Sequence, residues 1–175
     1  MLQLPKVIGH RGAMAYVLEN TLDSFREARR RGATWVEIDV KLTADDVPIV
    51  LHDSSLKRTT GVDGMAAETR RADLPAIVPT FEQAIACFQE LGLGCNVEIK
   101  PCEGREVETA RVAVETLRRV WPASLPAPLL SSFKDACLAT AREAAPEFAR
   151  ALLVSEVGDD WKSRAEAVGA VGMNV

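Results

Sequence analysis

Short apolar runs alternate with amphipathic helical patterns along almost the whole of this 175-residue chain. Six of the runs are interpreted as strands, nearly all of them followed by a helix: 6–9, 34–40, 95–99, 129–132, 151–154 and 170–175. A seventh run, 47–51, returns after a turn, and its proline indicates an edge position. This alternation predicts a parallel α/β sheet. A barrel and a doubly wound sheet both remain open, although no G-x-G-x-x-G follows the first strand, which weakens a dinucleotide-binding interpretation.

Capping residues mark the helix boundaries. The first helix is predicted to start at Asn20-Thr21 and to stop at Gly32, and a capping box at Thr80–Gln83 opens the second, which Gly92 ends. Two further helices are predicted over 134–145 and 160–168. Another helix is predicted after the second one and before residue 134, and Pro122 closes it. The inward stripe of this helix is expected to contain Val107, Ala110, Val114 and Leu117.

Charge and cysteine usage narrow the class of protein. The net charge of -4 gives no basic footprint for nucleic acid, and no apolar run approaches the length of a membrane span. The N-terminal residues run directly into a polar motif, and the four cysteines fall in no metal-finger spacing. We therefore expect one cytoplasmic domain over residues 1–175, with reduced thiols, no nucleic-acid partner and no insertion into a membrane.

Acidic side chains lie on one face of each of two predicted strands. Glu37 and Asp39 are two apart and so project together, and Asn96, Glu98 and Lys100 repeat the pattern on the next strand. Three converging carboxylates favour a hard cation such as Mg²⁺ or Ca²⁺. The alternative is that Glu98 pairs with Lys100 and Glu37 is exposed, but acids at the carboxyl ends of two barrel strands favour the functional interpretation.

The only two histidines of the chain, His10 and His52, each close an extended run. One imidazole can accept a proton while the other donates one, as cleavage of a phosphodiester requires. Arg11, beside His10, offers a planar donor fork suited to phosphate oxygens. Further along the chain, Arg58, Thr59 and Thr60 are interpreted as ordinary loop residues.

These motifs together resemble the glycerophosphodiester phosphodiesterase family, and among its members the bacterial cytosolic enzymes associated with glycerol 3-phosphate uptake. The resemblance covers nearly the whole chain and is carried by an ordered set of short motifs: His10-Arg11-Gly12, Glu19-Asn20-Thr21, Glu37-x-Asp39-Val40, Thr43-x-Asp45, His52-Asp53, Arg58-x-Thr60 and Glu98-Ile99-Lys100. Any one triplet is a weak signal, whereas the ordered set is specific.

The resemblance implies a TIM (β/α)8 barrel that hydrolyses glycerophosphodiesters to sn-glycerol 3-phosphate and an alcohol. It implies that a divalent cation, Mg²⁺ or Ca²⁺, is held by the acids Glu37, Asp39 and Glu98. It further implies that His10 and His52 are the acid and the base, and that Arg11 and Lys100 bind the substrate phosphate.

The chain departs from the family pattern because it stops after about six of the eight strand–helix units. Three explanations stay open: further residues follow, a second copy supplies the missing wall in a homo-oligomer, or the chain is a poorly folded fragment. We favour the first. A non-catalytic barrel that binds a phosphodiester or a metal is the alternative function, and a phosphatidylinositol-specific phospholipase C or a metal-dependent amidohydrolase fits less well.

Overall fold

The computed structural model describes residues 3–175, in which a single sheet carries six strands in the order β2-β1-β3-β4-β5-β6. The strands are β1 (Trp35–Leu42), β2 (Pro48–Val50), β3 (Gly94–Ile99), β4 (Leu129–Ser132), β5 (Ala149–Leu153) and β6 (Gly172–Asn174). All neighbouring pairs are parallel except β1 and β2, which are antiparallel. The parallel sheet and the edge position of the proline-containing run are therefore confirmed.

Helices connect the parallel strands. They are α1 (Leu22–Arg30), α2 (Lys57–Thr60), α3 (Phe81–Leu91), α4 (Glu106–Val120), α5 (Asp135–Ala144) and α6 (Trp161–Val168), with two 3-10 turns at Ala66–Glu68 and Arg71–Asp73. Both predicted N-caps are confirmed, since the hydroxyls of Thr21 and Thr80 accept the N–H of the third helical residue. Gly92 ends α3 in the left-handed conformation. No helix within residues 3–175 is both long and apolar enough to cross a membrane.

The main core lies between the outer face of the sheet and the helices. Val36, Ile38 and Val40 of β1 are fully buried in it, as the two-residue period predicts. Phe25 of α1 and Phe88 of α3 meet there edge to face, with ring centroids 5.0 Å apart. The other face of β1 is thereby left for polar side chains.

That polar face is concave. His10 and Arg11 from the start of the chain line the same cavity as Asn174 and Val175 at its end. A sheet whose first and last segments meet around one cavity is curling towards closure. The fold is the expected (β/α)8 type, represented by about six of its strand–helix units.

Three local predictions are wrong. The first strand is reduced to a single parallel bridge between Gly9 and Val36, because the chain turns immediately afterwards. Val107 is 50% exposed, since it lies in the first turn of α4 and the buried stripe begins at Thr109. Residues 58–60 are not loop but part of the one-turn helix α2, which Gly61 ends in the left-handed conformation.

Candidate active site

Three carboxylates converge on the inner face of the neighbouring strands β1 and β3. The parallel register sets Asp39 directly beside Glu98, while Glu37 lies two residues earlier on the same face. One oxygen from each of the three acids lies within 4.8 Å of the others. The predicted acidic cluster is therefore assembled, and its oxygen donors suit a hard divalent cation.

Part of this cluster has no hydrogen-bonding partner. Glu37 Oε1 and Asp39 Oδ1 are buried and accept no hydrogen bond within the described residues. Burial, reinforced by the charge of Asp39, raises the pKa of Glu37 to about 8. The pKa of Glu98 is also raised, first by burial and then by Asp39. Buried carboxylate oxygens without donors are costly, and a bound cation would satisfy them.

Lys100 and Arg11 bring positive charge to the cluster. Lys100 Nζ lies 2.9 Å from Glu98 Oε1 and 3.6 Å from Asp39 Oδ1. The backbone N–H of Arg11 donates to Glu37 Oε2 at 2.9 Å, and its Nε lies 3.4 Å from Asp39 Oδ2. The Glu98–Lys100 pair of the alternative interpretation thus exists, but the Glu37 side chain is only 12% exposed, so that interpretation fails as a whole.

A strained turn aims Arg11 at these acids. Arg11 has φ 49°, Gly12 has φ 80° and Asn20 has φ 56°, all in the left-handed region. A Cβ on Gly12 would lie 2.7 Å from the backbone carbon of Ser24, so only glycine fits. Asn20 Nδ2 donates to Asp39 Oδ2 at 2.8 Å. Strained backbone of this kind concentrates at functional sites.

The two histidines line the same cavity of about 410 Å³, together with Glu37 and Glu98. His10 Nε2 lies 3.7 Å from Glu37 Oε2, and burial followed by the charge of Arg11 lowers the pKa of His10. His52 Nδ1 lies 2.7 Å from Asp53 Oδ1. A ring held to a carboxylate through Nδ1 keeps Nε2 for a reacting group.

Arg58, which the sequence interpretation set aside as a loop residue, connects the two halves of the site. Its guanidinium contacts Asp53, the partner of His52, and also Glu19, which accepts from Arg11 Nη1 at 3.0 Å. The ion pair between Arg58 and Glu19 joins residues 39 apart, and no local pattern could have predicted it.

Lys41 was also missed, although a signal existed. The two-residue period that puts Glu37 and Asp39 on the inner face of β1 extends to Lys41. Its side chain is 1% exposed, and its Nζ donates to the carbonyl of Lys100 at 2.8 Å. It lines a second cavity of about 480 Å³ that adjoins the first at His52.

A further cavity of about 540 Å³ lies along the segment from Val7 to Tyr16 against Ala33. Of the proposed site residues only His10 reaches it, and none of the three acids does. Most of the side chains predicted for the site therefore line the 410 Å³ cavity and not this one.

Comparison with known proteins identifies similar sequences and folds. The model of the Glycerophosphoryl diester phosphodiesterase family matches residues 10–175. An Oleispira antarctica phosphodiesterase, solved in complex with the product sn-glycerol-3-phosphate, is 39% identical with a TM-score of 0.93 over 97% of this chain and 74% of that one. A Thermotoga maritima glycerophosphodiester phosphodiesterase is 27% identical with a TM-score of 0.77, over 99% of this chain and 74% of that one.

Two curated relatives are similar in sequence. An uncharacterized Bacillus subtilis protein is 28% identical over 168 residues, which cover 88% of this chain and 68% of that protein. Rat glycerophosphodiester phosphodiesterase 1 is 43% identical over 76 residues, which cover 43% of this chain and 20% of that protein. The chain therefore spans only part of the length of each of these relatives.

Proposed function

The chain belongs to the glycerophosphoryl diester phosphodiesterase family, and we propose that it hydrolyses glycerophosphodiesters to sn-glycerol 3-phosphate and an alcohol. One observation carries the proposal for this chain in particular. Two imidazoles, two cationic side chains and the carboxylates of Glu37 and Glu98 line a single cavity of about 410 Å³, and an oxygen of Asp39 lies within 4.8 Å of both acids. Residue types for charge neutralisation, proton transfer and phosphate binding are thus available to one small substrate.

Glu37, Asp39 and Glu98 would hold a divalent cation, Mg²⁺ or Ca²⁺. The two unpartnered oxygens, Glu37 Oε1 and Asp39 Oδ1, support this assignment, because a cation would satisfy both of them at once. When bound, such an ion neutralises charge on the phosphoryl group and helps to orient the substrate hydroxyls.

His10 and His52 would divide the two proton transfers. One imidazole takes the proton of the nucleophile, which is either water or the 2-hydroxyl of glycerol, as its oxygen bonds to phosphorus. The other imidazole gives a proton to the oxygen of the leaving alcohol as the second P–O bond breaks. With the 2-hydroxyl as nucleophile the first product is a cyclic phosphate, which a water molecule then opens to sn-glycerol 3-phosphate through a second pair of proton transfers. His52 Nδ1 lies 2.7 Å from Asp53 Oδ1, and this contact orients Nε2, the other ring nitrogen.

Arg11 and Lys100 would bind the phosphate. Arg11 Nε is buried and donates to no acceptor among the described residues, so it has a hydrogen bond to offer. The Lys100 side chain is 24% exposed and lines the same cavity. Both would stabilise the negative charge that gathers on the phosphoryl oxygens in the transition state.

Phosphorus NMR tests the proposal directly. The purified protein is incubated with glycerophosphocholine and Mg²⁺ or Ca²⁺, and again with a chelator. We expect sn-glycerol 3-phosphate to appear only with metal, and His10→Ala and His52→Ala each to lose at least about 100-fold in rate with an unchanged circular dichroism spectrum. A folded protein that binds glycerophosphocholine without turnover would instead indicate a binding module, and near wild-type rates in either variant would contradict the two-histidine assignment.

A further inference from the structure

We infer that Arg58 is a positioning residue. It fixes the side chain of His52 through Asp53 and the side chain of Arg11 through Glu19, and so keeps the two at a constant position relative to each other. The inference rests on the proposed function, since it assigns to these two groups the proton transfer and the phosphate contact. Arg58 itself lines neither the 410 Å³ cavity nor the adjoining one of 480 Å³. It would therefore act on the reaction only through its two carboxylate partners.

On the histidine side, Arg58 fixes the carboxylate that holds the ring. Its Nε lies 2.5 Å from Asp53 Oδ2, and its Nη2 lies 3.1 Å from Asp53 Oδ1. Asp53 Oδ1 is the same oxygen that meets His52 Nδ1 at 2.7 Å. Hydrogen bonds to both oxygens restrain the rotation of the Asp53 carboxylate. The His52 ring that this carboxylate contacts therefore keeps one orientation and one tautomer.

On the phosphate side, Arg58 makes a second bidentate contact. Its Nη1 and Nη2 lie 3.0 Å and 2.7 Å from the two oxygens of Glu19. Glu19 Oε1 also accepts from Arg11 Nη1 at 3.0 Å, and the Glu19 side chain is only 6% exposed. One planar guanidinium thus spans two carboxylates, a geometry that the point charge of lysine cannot reproduce.

Stability alone accounts poorly for this arrangement. The Arg58 side chain is 50% exposed, and half-exposed ion pairs contribute little to folding. Arg118 makes a similar bidentate pair with Glu147 at 2.6 and 3.0 Å, is 51% exposed, and lines neither of the two cavities. It provides a control for the removal of a half-exposed guanidinium from a bidentate pair. Because Arg58→Met also takes from the nearly buried Glu19 one of its two arginine contacts, the thermal unfolding of both variants is measured beside their kinetics.

The test compares Arg58→Met, Arg58→Lys and Arg118→Met in the metal-supplemented phosphodiesterase assay. We expect Arg58→Met to lower kcat by about 10- to 100-fold, as misplacement of catalytic groups by fractions of an ångström does, with a smaller change in KM. Arg58→Lys should recover part of the loss, and Arg118→Met should match the wild type. In an Asp53→Asn background, Arg58→Met should lower kcat by a smaller factor than it does alone, because the support of His52 is already removed and only the support of Arg11 through Glu19 is still lost.

A spectroscopic measurement separates this inference from the proposed reaction. The chain has two histidines, so ¹⁵N-histidine labelling gives two ring systems, those of His10 and His52. We expect Arg58→Met to shift the ring signals of His52 away from the Nδ1–H tautomer, while Arg118→Met leaves them unchanged.

Each outcome decides the matter. A kcat of Arg58→Met within twofold of wild type, together with unmoved His52 signals, would overturn the inference while leaving the reaction intact. If the wild type shows no turnover, the proposed function fails, and the His52 signals alone then support or overturn the positioning role. Equal losses in Arg58→Met and Arg118→Met would assign the effect to general stability and would also overturn it.

Discussion

Replacing Glu37 by Gln is expected to stabilise the metal-free protein and to abolish its catalysis. The Glu37 side chain is 12% exposed and its Oε1 has no hydrogen-bond partner. Burial and the charge of Asp39 raise its pKa from 4.5 to about 8. The folded protein therefore holds this proton more tightly than the unfolded chain does, and forcing the carboxyl to ionise opposes folding.

The magnitude follows from the size of this difference in pKa. Below pH 4.5 the carboxyl is protonated in both states, and as pH rises through the interval up to about 8 the stability falls. At about 1.36 kcal/mol per pH unit, the metal-free wild type has lost about 3 kcal/mol by pH 7. Gln cannot ionise, yet its oxygen can still accept the N–H of Arg11. The variant should then melt about 6–12 °C above the wild type, as expected for a chain of this size.

The assay is thermal unfolding followed by circular dichroism in chelator at pH 7 and at pH 5. At pH 5 the advantage of Glu37→Gln should shrink below about 1 kcal/mol, because little of the interval has been crossed. A divalent cation at 100 times its dissociation constant should raise the free energy of unfolding of the wild type by about 2.7 kcal/mol. The free energy of unfolding of the variant should change very little.

The control for this prediction is Glu147→Gln. Glu147→Gln alters an exposed carboxylate whose pKa is lowered by Arg118, so its effect should be under about 1 kcal/mol and equal at both pH values. If Glu37→Gln melts no higher than the wild type at pH 7 in chelator, or if its advantage is as large at pH 5, then the buried acid is not under electrostatic strain.

Two further substitutions test the packing around the site. Gly12→Ala should destabilise by several kcal/mol in urea unfolding, because its Cβ would lie 2.7 Å from the backbone of Ser24 at φ 80°; Gly32→Ala, with φ 92° but nothing within 4 Å, should cost only about 1–2 kcal/mol. Lys41→Met should reveal a buried ammonium: burial lowers the pKa of Lys41 below its usual 10.5, so the stability of the wild type relative to the variant should rise as the pH approaches 10.5. A relative stability that does not change between pH 7 and pH 10 would contradict the prediction for Lys41.

Local rules were sufficient for most of the fold. The capping box at Thr80 and the left-handed Gly92 are both properties of a few consecutive residues, and both ends of α3 were predicted correctly. The first strand failed because its existence depends on the neighbouring chain. Gly9 makes hydrogen bonds to Trp35 and Glu37, and no further ladder follows before the turn.

The same distinction separates the predicted and unpredicted parts of the site. Glu37 and Asp39 were paired by the two-residue period of a strand, and the parallel register then set Asp39 beside Glu98. Arg58 escaped prediction because its partner Glu19 lies 39 residues away and the two are joined only by tertiary structure. Lys41 obeys the same period but is not among the predicted site residues, and its acceptor, the carbonyl of Lys100, lies 59 residues away in the chain.

In the metal-free site, one cationic side chain has two competing tasks. Arg58 is engaged by Glu19 and Asp53, and Lys100 lies 2.9 Å from Glu98. Under the proposed function Lys100 must also serve the substrate phosphate, which it can do fully only if Glu98 is compensated by another charge. A cation on the acids would provide that charge and satisfy the unpartnered oxygen of Glu37 as well. The internal pair that steadies the site without metal is therefore the one that opposes phosphate binding, and metal binding would relieve both costs together.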